Sequence, residues 1–179
     1  MYKPIYWYHG NEKFPDTEVD QVIKELVRLG DELIKREDAI SSYYLKLHSR
    51  PDKIWLPKYQ KIVDEITTSI GIESTTKYTW DYWSQLYHSK NKHHAHHHSS
   101  GKNTISFVHF IKPTDENPFV FLDNDGNDQP LPEQREGDIV CFPSYIWHRV
   151  KPLKSGQRYV VAGNIELQYQ DKYHLDTSL

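Results

Sequence analysis

GDIVCFPSYIWHRVKPLKSGQRYVVAGNIELQY, residues Gly137–Tyr169, decides the fold. It holds three runs rich in β-branched and aromatic residues, Gly137–Ser144, His148–Pro152 and Arg158–Tyr169, separated by Pro143-Ser144 and by Ser155-Gly156. Such residues suit a pleated, half-buried surface, and Pro and Gly punctuate it. The pattern extends upstream through TKYTWDYWSQLYHS (Thr76–Ser89), NTISFVHFI (Asn103–Ile111) and PFVFLD (Pro118–Asp123), with turns at Asp125-Gly126 and Glu136-Gly137. Many short strands with a turn about every dozen residues predict a mainly β protein built as a double-stranded β-helix, a cupin-like jelly roll.

Helical periodicity is confined to the N-terminal part. Val19, Val22, Ile23, Leu26, Val27, Leu29, Leu33 and Ile34 recur at helical spacing behind a cap signal at Asp16/Thr17, with Gly30 weakening that helix without ending it. A second helix is expected from Pro57, with Tyr59, Ile62, Val63, Ile66 and Ile70 inward and Gly71 as its stop. The reading is of one domain: a helical buttress over residues 1–72, a jelly-roll core over 73–170 and a tail over 171–179.

Composition narrows the function classes. A net charge of −3 over 179 residues argues against a global basic field for nucleic acid or anionic lipid. Thirteen Tyr, six Phe and five Trp supply core bulk in a chain of mean hydropathy −0.79. Cys141 alone cannot form an internal disulfide, which fits a reducing compartment. The start MYKPIYWYHG lacks a signal-peptide pattern, and no apolar run reaches the roughly 18–20 residues needed to cross a membrane. The expected location is the cytoplasm, the host's if the chain is viral.

The chemistry gathers at histidines. KHHAHHH (Lys92–His98) holds two H-x-H pairs, His94/His96 and His96/His98. Residues two apart on a strand point the same way, so either pair can present two imidazoles to one ion, His97 pointing opposite in the second case. His148, on another strand, is the candidate third ligand, leaving other coordination positions open. If Lys154-Ser155-Gly156 is a three-residue loop, Leu153 pairs with Gln157 and Arg158 faces Pro152, on the same side as His148. A dicarboxylate could then bridge the metal and the Arg158 guanidinium.

H-x-H, then G-D-I-V-C-F-P-S-x-x-x-H-x-V-x-P with its histidine fifty residues after His98, then Arg158 ten residues after His148 and V-V-A-G-N, resembles the iron(II)- and 2-oxoglutarate-dependent oxygenases. The likeness spans Trp80 to Glu166 and is strongest to small phage-type members related to prolyl hydroxylases. It implies a dioxygenase, by default a hydroxylase, with His96, His98 and His148 on iron, Arg158 on the distal carboxylate of 2-oxoglutarate, and O2 as co-reactant. Tyr87, nine residues before His96, resembles a tyrosine that hydrogen-bonds that same carboxylate. The thirteen residues from Trp83 to His96 resemble the phage spacing and favour His96/His98 over His94/His96. Two departures stand out: His98 occupies the place of the usual carboxylate ligand, and Val160 that of a frequent serine.

Rival readings belong to other classes. A cupin-like three-histidine metalloenzyme would not use 2-oxoglutarate, and a non-catalytic β-sandwich binding module would carry the histidine run as solvated or adventitious metal-binding surface. His88 and His93 read as solvated loop residues, His109 as a satisfied core histidine and Cys141 as a small buried hydrophobe. The acidic pairs Asp115/Glu116 and Asp123–Asp128 read as turns. Small-molecule, peptide and nucleobase substrates fit the sequence equally, and it sets no oligomeric state.

Overall fold

The computed structural model describes residues 4–30, 39–72, 76–98, 104–131 and 133–168. Its elements are β1 (Trp7–Asn11), α1 (Asp16–Arg28), β2 (Ile40–Ser41), α2 (Leu56–Ser69), β3 (Lys77–His88), β4 (His93–His96), β5 (Ile105–Lys112), β6 (Phe119–Leu122), β7 (Asp128–Pro130), β8 (Asp138–Pro143), β9 (His148–Val150) and β10 (Gln157–Gln168). The larger sheet runs β1-β8-β5-β10-β3-β2 and the smaller β4-β9-β6-β7, and all recorded pairings are antiparallel. The jelly roll expected from the strand pattern is present.

Why the central runs read as nearly continuous apolar sequence is now visible: the larger sheet is buried on both faces. On β10, Tyr159 and Val161 join α1 and α2 in one core cluster, while Val160 joins Phe110, Phe119, Phe142 and Val150 in a second cluster between the sheets. β8 divides likewise, Ile139 and Cys141 to the helices, Val140 and Phe142 to the inter-sheet space. This is the two-residue period of a strand with an apolar partner on each side. It also fixes the parity of Arg158, which shares a side with Val160.

The helices depart from expectation in detail. α1 begins after Pro15 without a side-chain cap hydrogen bond; Asp16 and Glu18 instead place negative charge in its first turn. It ends at Arg28, before Gly30, and Val27 is half-exposed rather than inward. The expected continuation through Leu33 and Ile34, like the expected tail, lies outside the described residues. In α2, Tyr59, Ile62, Val63 and Ile66 are buried as predicted, but Ile70 caps the helix and is exposed. Gly71 follows at φ +76°, the left-handed conformation that suits a helix stop. β1 and β2, edge strands of the larger sheet, fall where only helices were expected; at five and two residues they are too short to show a period.

One pairing is corrected outright. β9 and β10 do not form the predicted hairpin: β9 lies between β4 and β6 in the smaller sheet, and β10 between β5 and β3 in the larger. Lys151–Gly156 carries the chain from one sheet to the other, so local loop arithmetic does not apply. Arg158 pairs with Tyr87, not Pro152.

Candidate metal centre

β4 and β9 place His96 directly opposite His148. His98 follows just beyond β4, its backbone N–H donating to the Ser144 carbonyl at 2.7 Å, which ties it to the Pro143-Ser144 break. Ring nitrogens of His96, His98 and His148 lie within 4.8 Å of one another, a cluster that can hold a metal ion. Ring centroids are 4.3 Å apart for His96–His148, 4.9 Å for His96–His98 and 5.2 Å for His98–His148.

Hydrogen bonds set two of the rings. His96 Nδ1 lies 2.8 Å from the His94 carbonyl and His148 Nδ1 lies 2.9 Å from the Ile146 carbonyl. A carbonyl only accepts, so each Nδ1 carries the hydrogen and each Nε2 keeps the lone pair a metal needs. His148 is buried against Phe119 and Phe142. Burial, then the nearby His96, holds its pKa well below the usual range; burial, then His96, pushes His98 down to about 4. Both rings are therefore neutral near pH 7, the form that ligates. His94 is exposed, and its carbonyl holds the His96 ring. His97 turns to Trp147, centroids 4.5 Å apart.

Arg158 enters the same cavity from β10. It is fully buried, its guanidinium 5.5 Å from the ring centroids of both Tyr87 and Phe110, yet Nε, Nη1 and Nη2 have no hydrogen-bond partner among the described residues. Burial pushes its pKa down to about 10, so it stays a cation. Tyr87 is buried beside it, its hydroxyl donating to Gln85 Oε1 at 3.0 Å. The cavity, about 380 Å³, is thus lined at once by the three clustered histidines, Tyr87 and Arg158, with no Asp or Glu among its described lining residues.

His93 is not a solvated loop residue. It lies on β4 and lines this cavity, its ring stacked on His96 at 4.3 Å and its Nδ1 3.3 Å from Tyr87 Oη and 3.5 Å from Gln85 Nε2. The cause is a bulge: two residues of β4 between His93 and His96, His94 and Ala95, stand against one on β9, Arg149, between Val150 and His148. Strict alternation groups His94 with His96; the extra residue groups His93 with His96 instead. His88 is exposed as expected, but it ends β3 rather than lying in a loop. His109 is a satisfied core residue, accepting from Tyr59 Oη at 2.9 Å through Nδ1 and donating to the Glu12 carbonyl at 2.7 Å through Nε2. Cys141 is buried, and burial raises its thiol pKa, so it is no nucleophile. Asp123 closes a turn by accepting from the Asp125 and Asn127 backbone N–H groups. No helix among the described residues is long and apolar enough to cross a membrane.

No family model and no curated protein matches the chain. Solved structures do. A Pseudomonas putida prolyl-4-hydroxylase superposes with a TM-score of 0.64 at 14% identity, over 90% of this chain and 92% of that one. The viral collagen prolyl hydroxylase of Paramecium bursaria Chlorella virus-1, in its 2-oxoglutarate complex, gives 0.62 at 16% identity over 89% and 94%. A Trichoplax adhaerens prolyl hydroxylase in complex with a hypoxia-inducible-factor peptide fragment gives 0.60 at 11% identity over 90% and 83%. The chain therefore has the fold of these hydroxylases over nearly its whole length.

Proposed function

We propose that the chain is an iron(II)- and 2-oxoglutarate-dependent oxygenase acting as a hydroxylase. The observation that carries this reading is the coexistence, in one cavity, of three clustered imidazoles and a buried guanidinium with no hydrogen-bond partner among the described residues. An uncompensated buried charge costs about 3–5 kcal/mol, so Arg158 is better explained as half of a pair completed by an incoming anion. A dicarboxylate answers both ends of the cavity, whereas a lone metal would leave the guanidinium unpaired.

His96, His98 and His148 would hold iron on one face; Arg158, with Tyr87 beside it, would hold the distal carboxylate. When bound, iron and 2-oxoglutarate supply oxidative decarboxylation coupled to transfer of oxygen to an unactivated carbon. The chain's own part is placement and exclusion of water. Backbone carbonyls of His94 and Ile146 orient two imidazoles, and Phe119 and Val150 of the smaller sheet with Phe142 of the larger wall the cavity. The exposed members of the lining are Tyr43 and Tyr44, with Tyr43 edge-on to Trp83 at 5.0 Å, an uncharged aromatic entrance for the substrate.

One observation favours a second reading, a three-histidine dioxygenase or isomerase without 2-oxoglutarate: the described lining holds no carboxylate to complete the usual ligand set. Anaerobic titration of the iron-loaded protein with 2-oxoglutarate separates the two. The oxygenase reading expects a weak visible charge-transfer band from the chelated keto acid, lost in Arg158→Met, and succinate on admitting oxygen. No band in the wild type, with iron-dependent activity surviving Arg158→Met, would establish the second reading.

A further inference from the structure

We infer that Asn164 is a substrate-binding residue at the open end of the cavity, donating through Nδ2 to a neutral carbonyl of the substrate. The inference rests on the oxygenase reading, which gives the closed end to the cosubstrate. The inner face of β10 is graded along its length. Arg158 and Val160 are buried, whereas Ala162 and Asn164, further along the same face, are half-buried. All four line the one cavity, so with an anion between the metal cluster and Arg158 the room for a substrate lies toward Asn164. A short polar chain ties Asn164 to the cluster. The His98 N–H donates to the Ser144 carbonyl at 2.7 Å, Ser144 Oγ lies 2.9 Å from Ser106 Oγ, and Ser106 Oγ donates to Asn164 Oδ1 at 2.7 Å. Trp83 stands opposite Ala162 across β3 and β10, its ring centroid 6.4 Å from that of His98.

Placing the hydrogens assigns the carboxamide its role. Oδ1 only accepts, so the Ser106 hydrogen goes to it, and Ser106 Oγ in turn accepts the hydrogen of Ser144. Both serines are buried, and their chain holds Oδ1 while leaving the Nδ2 hydrogens without a partner among the described residues. The described lining offers no carboxylate to take them. An incoming anion is disfavoured, because Asp81 lies opposite Asn164 across β3 and β10 and brings its own carboxylate, paired with Arg50 at 2.7 Å. A carbonyl suits the donor better than a hydroxyl, since it brings no hydrogen that needs a partner of its own. The apolar body beside that carbonyl would rest on Trp83 and on Tyr43, which stands edge-on to it.

The test follows two probes of one shape by saturation-transfer NMR on the full chain, under argon with iron(II) and 2-oxoglutarate present. N-Acetylpiperidine carries a carbonyl acceptor and no N–H; N-ethylpiperidine has a methylene in place of the carbonyl and is a cation near pH 7. Wild type should bind N-acetylpiperidine saturably and more tightly than N-ethylpiperidine. Asn164→Asp keeps an acceptor for Ser106 but turns the donor into a second acceptor. It should weaken N-acetylpiperidine about 5-fold or more and strengthen N-ethylpiperidine about 3-fold or more. A misfolded chain cannot produce that gain. Asn164→Ala carries the test if the Asp variant does not fold, and should lose the preference for the carbonyl probe with no gain for the cation. Equal binding of N-acetylpiperidine to wild type and Asn164→Asp overturns the inference, as does its failure to bind wild type or its displacement by 2-oxoglutarate, which would put both at one end. The charge-transfer band is read on the same iron-loaded protein. Its absence retires the oxygenase reading, whereas failure of the probe beside a normal band retires the role of Asn164 alone.

Discussion

His96 and His148 face each other across the β4–β9 pair, and each is oriented in the same way, through Nδ1 to the carbonyl two residues upstream, His94 and Ile146 respectively. The rings are therefore set by their own backbones. A ligand set presented like this loses little conformational freedom when it closes on an ion.

Metal binding should follow that geometry. His148→Ala and His96→Ala each remove one of three ligands and should weaken iron(II) binding by at least about 100-fold, beyond the 10–100-fold typical of losing an outer-shell partner. His94→Ala should leave affinity within about 3-fold, because that residue contributes a carbonyl the substitution retains. Anaerobic equilibrium dialysis of the three variants checks this. Strong loss in His94→Ala with retention in His148→Ala would return the metal to the surface of the histidine run.

Arg158 is a buried cation with no hydrogen-bond partner among the described residues. Arg158→Met should raise the stability of the ligand-free protein by roughly 1–4 kcal/mol, because a packed apolar chain replaces a buried cation that no described residue pairs. At about 2–4 °C per kcal/mol, thermal unfolding should show the gain directly. Adding 2-oxoglutarate should stabilise the metal-loaded wild type, by about 2.7 kcal/mol at 100 times its Kd, and leave the variant unmoved. A variant less stable than wild type without ligand would mean the guanidinium is already compensated.

His109 gives the fold a pH dependence of definite sign. Burial pushes its pKa down to about 4 from 6.5, with the hydrogen bond to the Glu12 carbonyl working the other way. The unfolded chain therefore takes up the proton first as pH falls. The contribution of the neutral ring is complete above about pH 6.5 and is lost progressively toward about pH 4, at up to about 1.4 kcal/mol per pH unit. Urea unfolding at pH 7 and pH 5 should show His109→Gln less stable at pH 7 but with a smaller drop to pH 5. Equal drops in the two proteins would clear His109 of the effect.

Residues whose placement depends on strand period were readable in advance; those that depend on how strands pair were not. Val160 and Phe142 fall on the inner face by alternation alone, and the parity that groups Arg158 with Val160 is likewise local. The partner of Arg158 is not local: expectation paired it with Pro152 by counting through a three-residue loop, whereas the chain changes sheets there and Tyr87, distant in sequence, takes the place. His93 was missed because a bulge resets the alternation between it and His96, and KHHAHHH carries no glycine or other mark of that irregularity. The first ligand pair needed more than period, since His94/His96 obeys the same rule as His96/His98; the difference lies in which carbonyls and amides the third dimension brings close.

Gly163 marks where the two buried faces of the larger sheet leave no room. It sits mid-strand on β10 between Tyr82 of β3 and Phe107 of β5. A Cβ there would stand 2.3 Å from Phe107 Cζ and 2.7 Å from the Asp81 carbonyl oxygen. The Phe107 ring could tilt, but it stacks on Tyr59 with centroids 6.0 Å apart and is fully enclosed, and the Asp81 carbonyl belongs to a neighbouring strand's backbone. Gly163→Ala should therefore destabilise the protein by about 1–3 kcal/mol, the usual cost of overpacking a filled core. Phe107→Leu relieves only the ring contact, so the double variant should recover part of the loss, and a double-mutant cycle in urea should give a coupling of about 0.5 kcal/mol or more. Additive effects would mean that Asp81 and the strand backbone, not the Phe107 ring, exclude a side chain at this position.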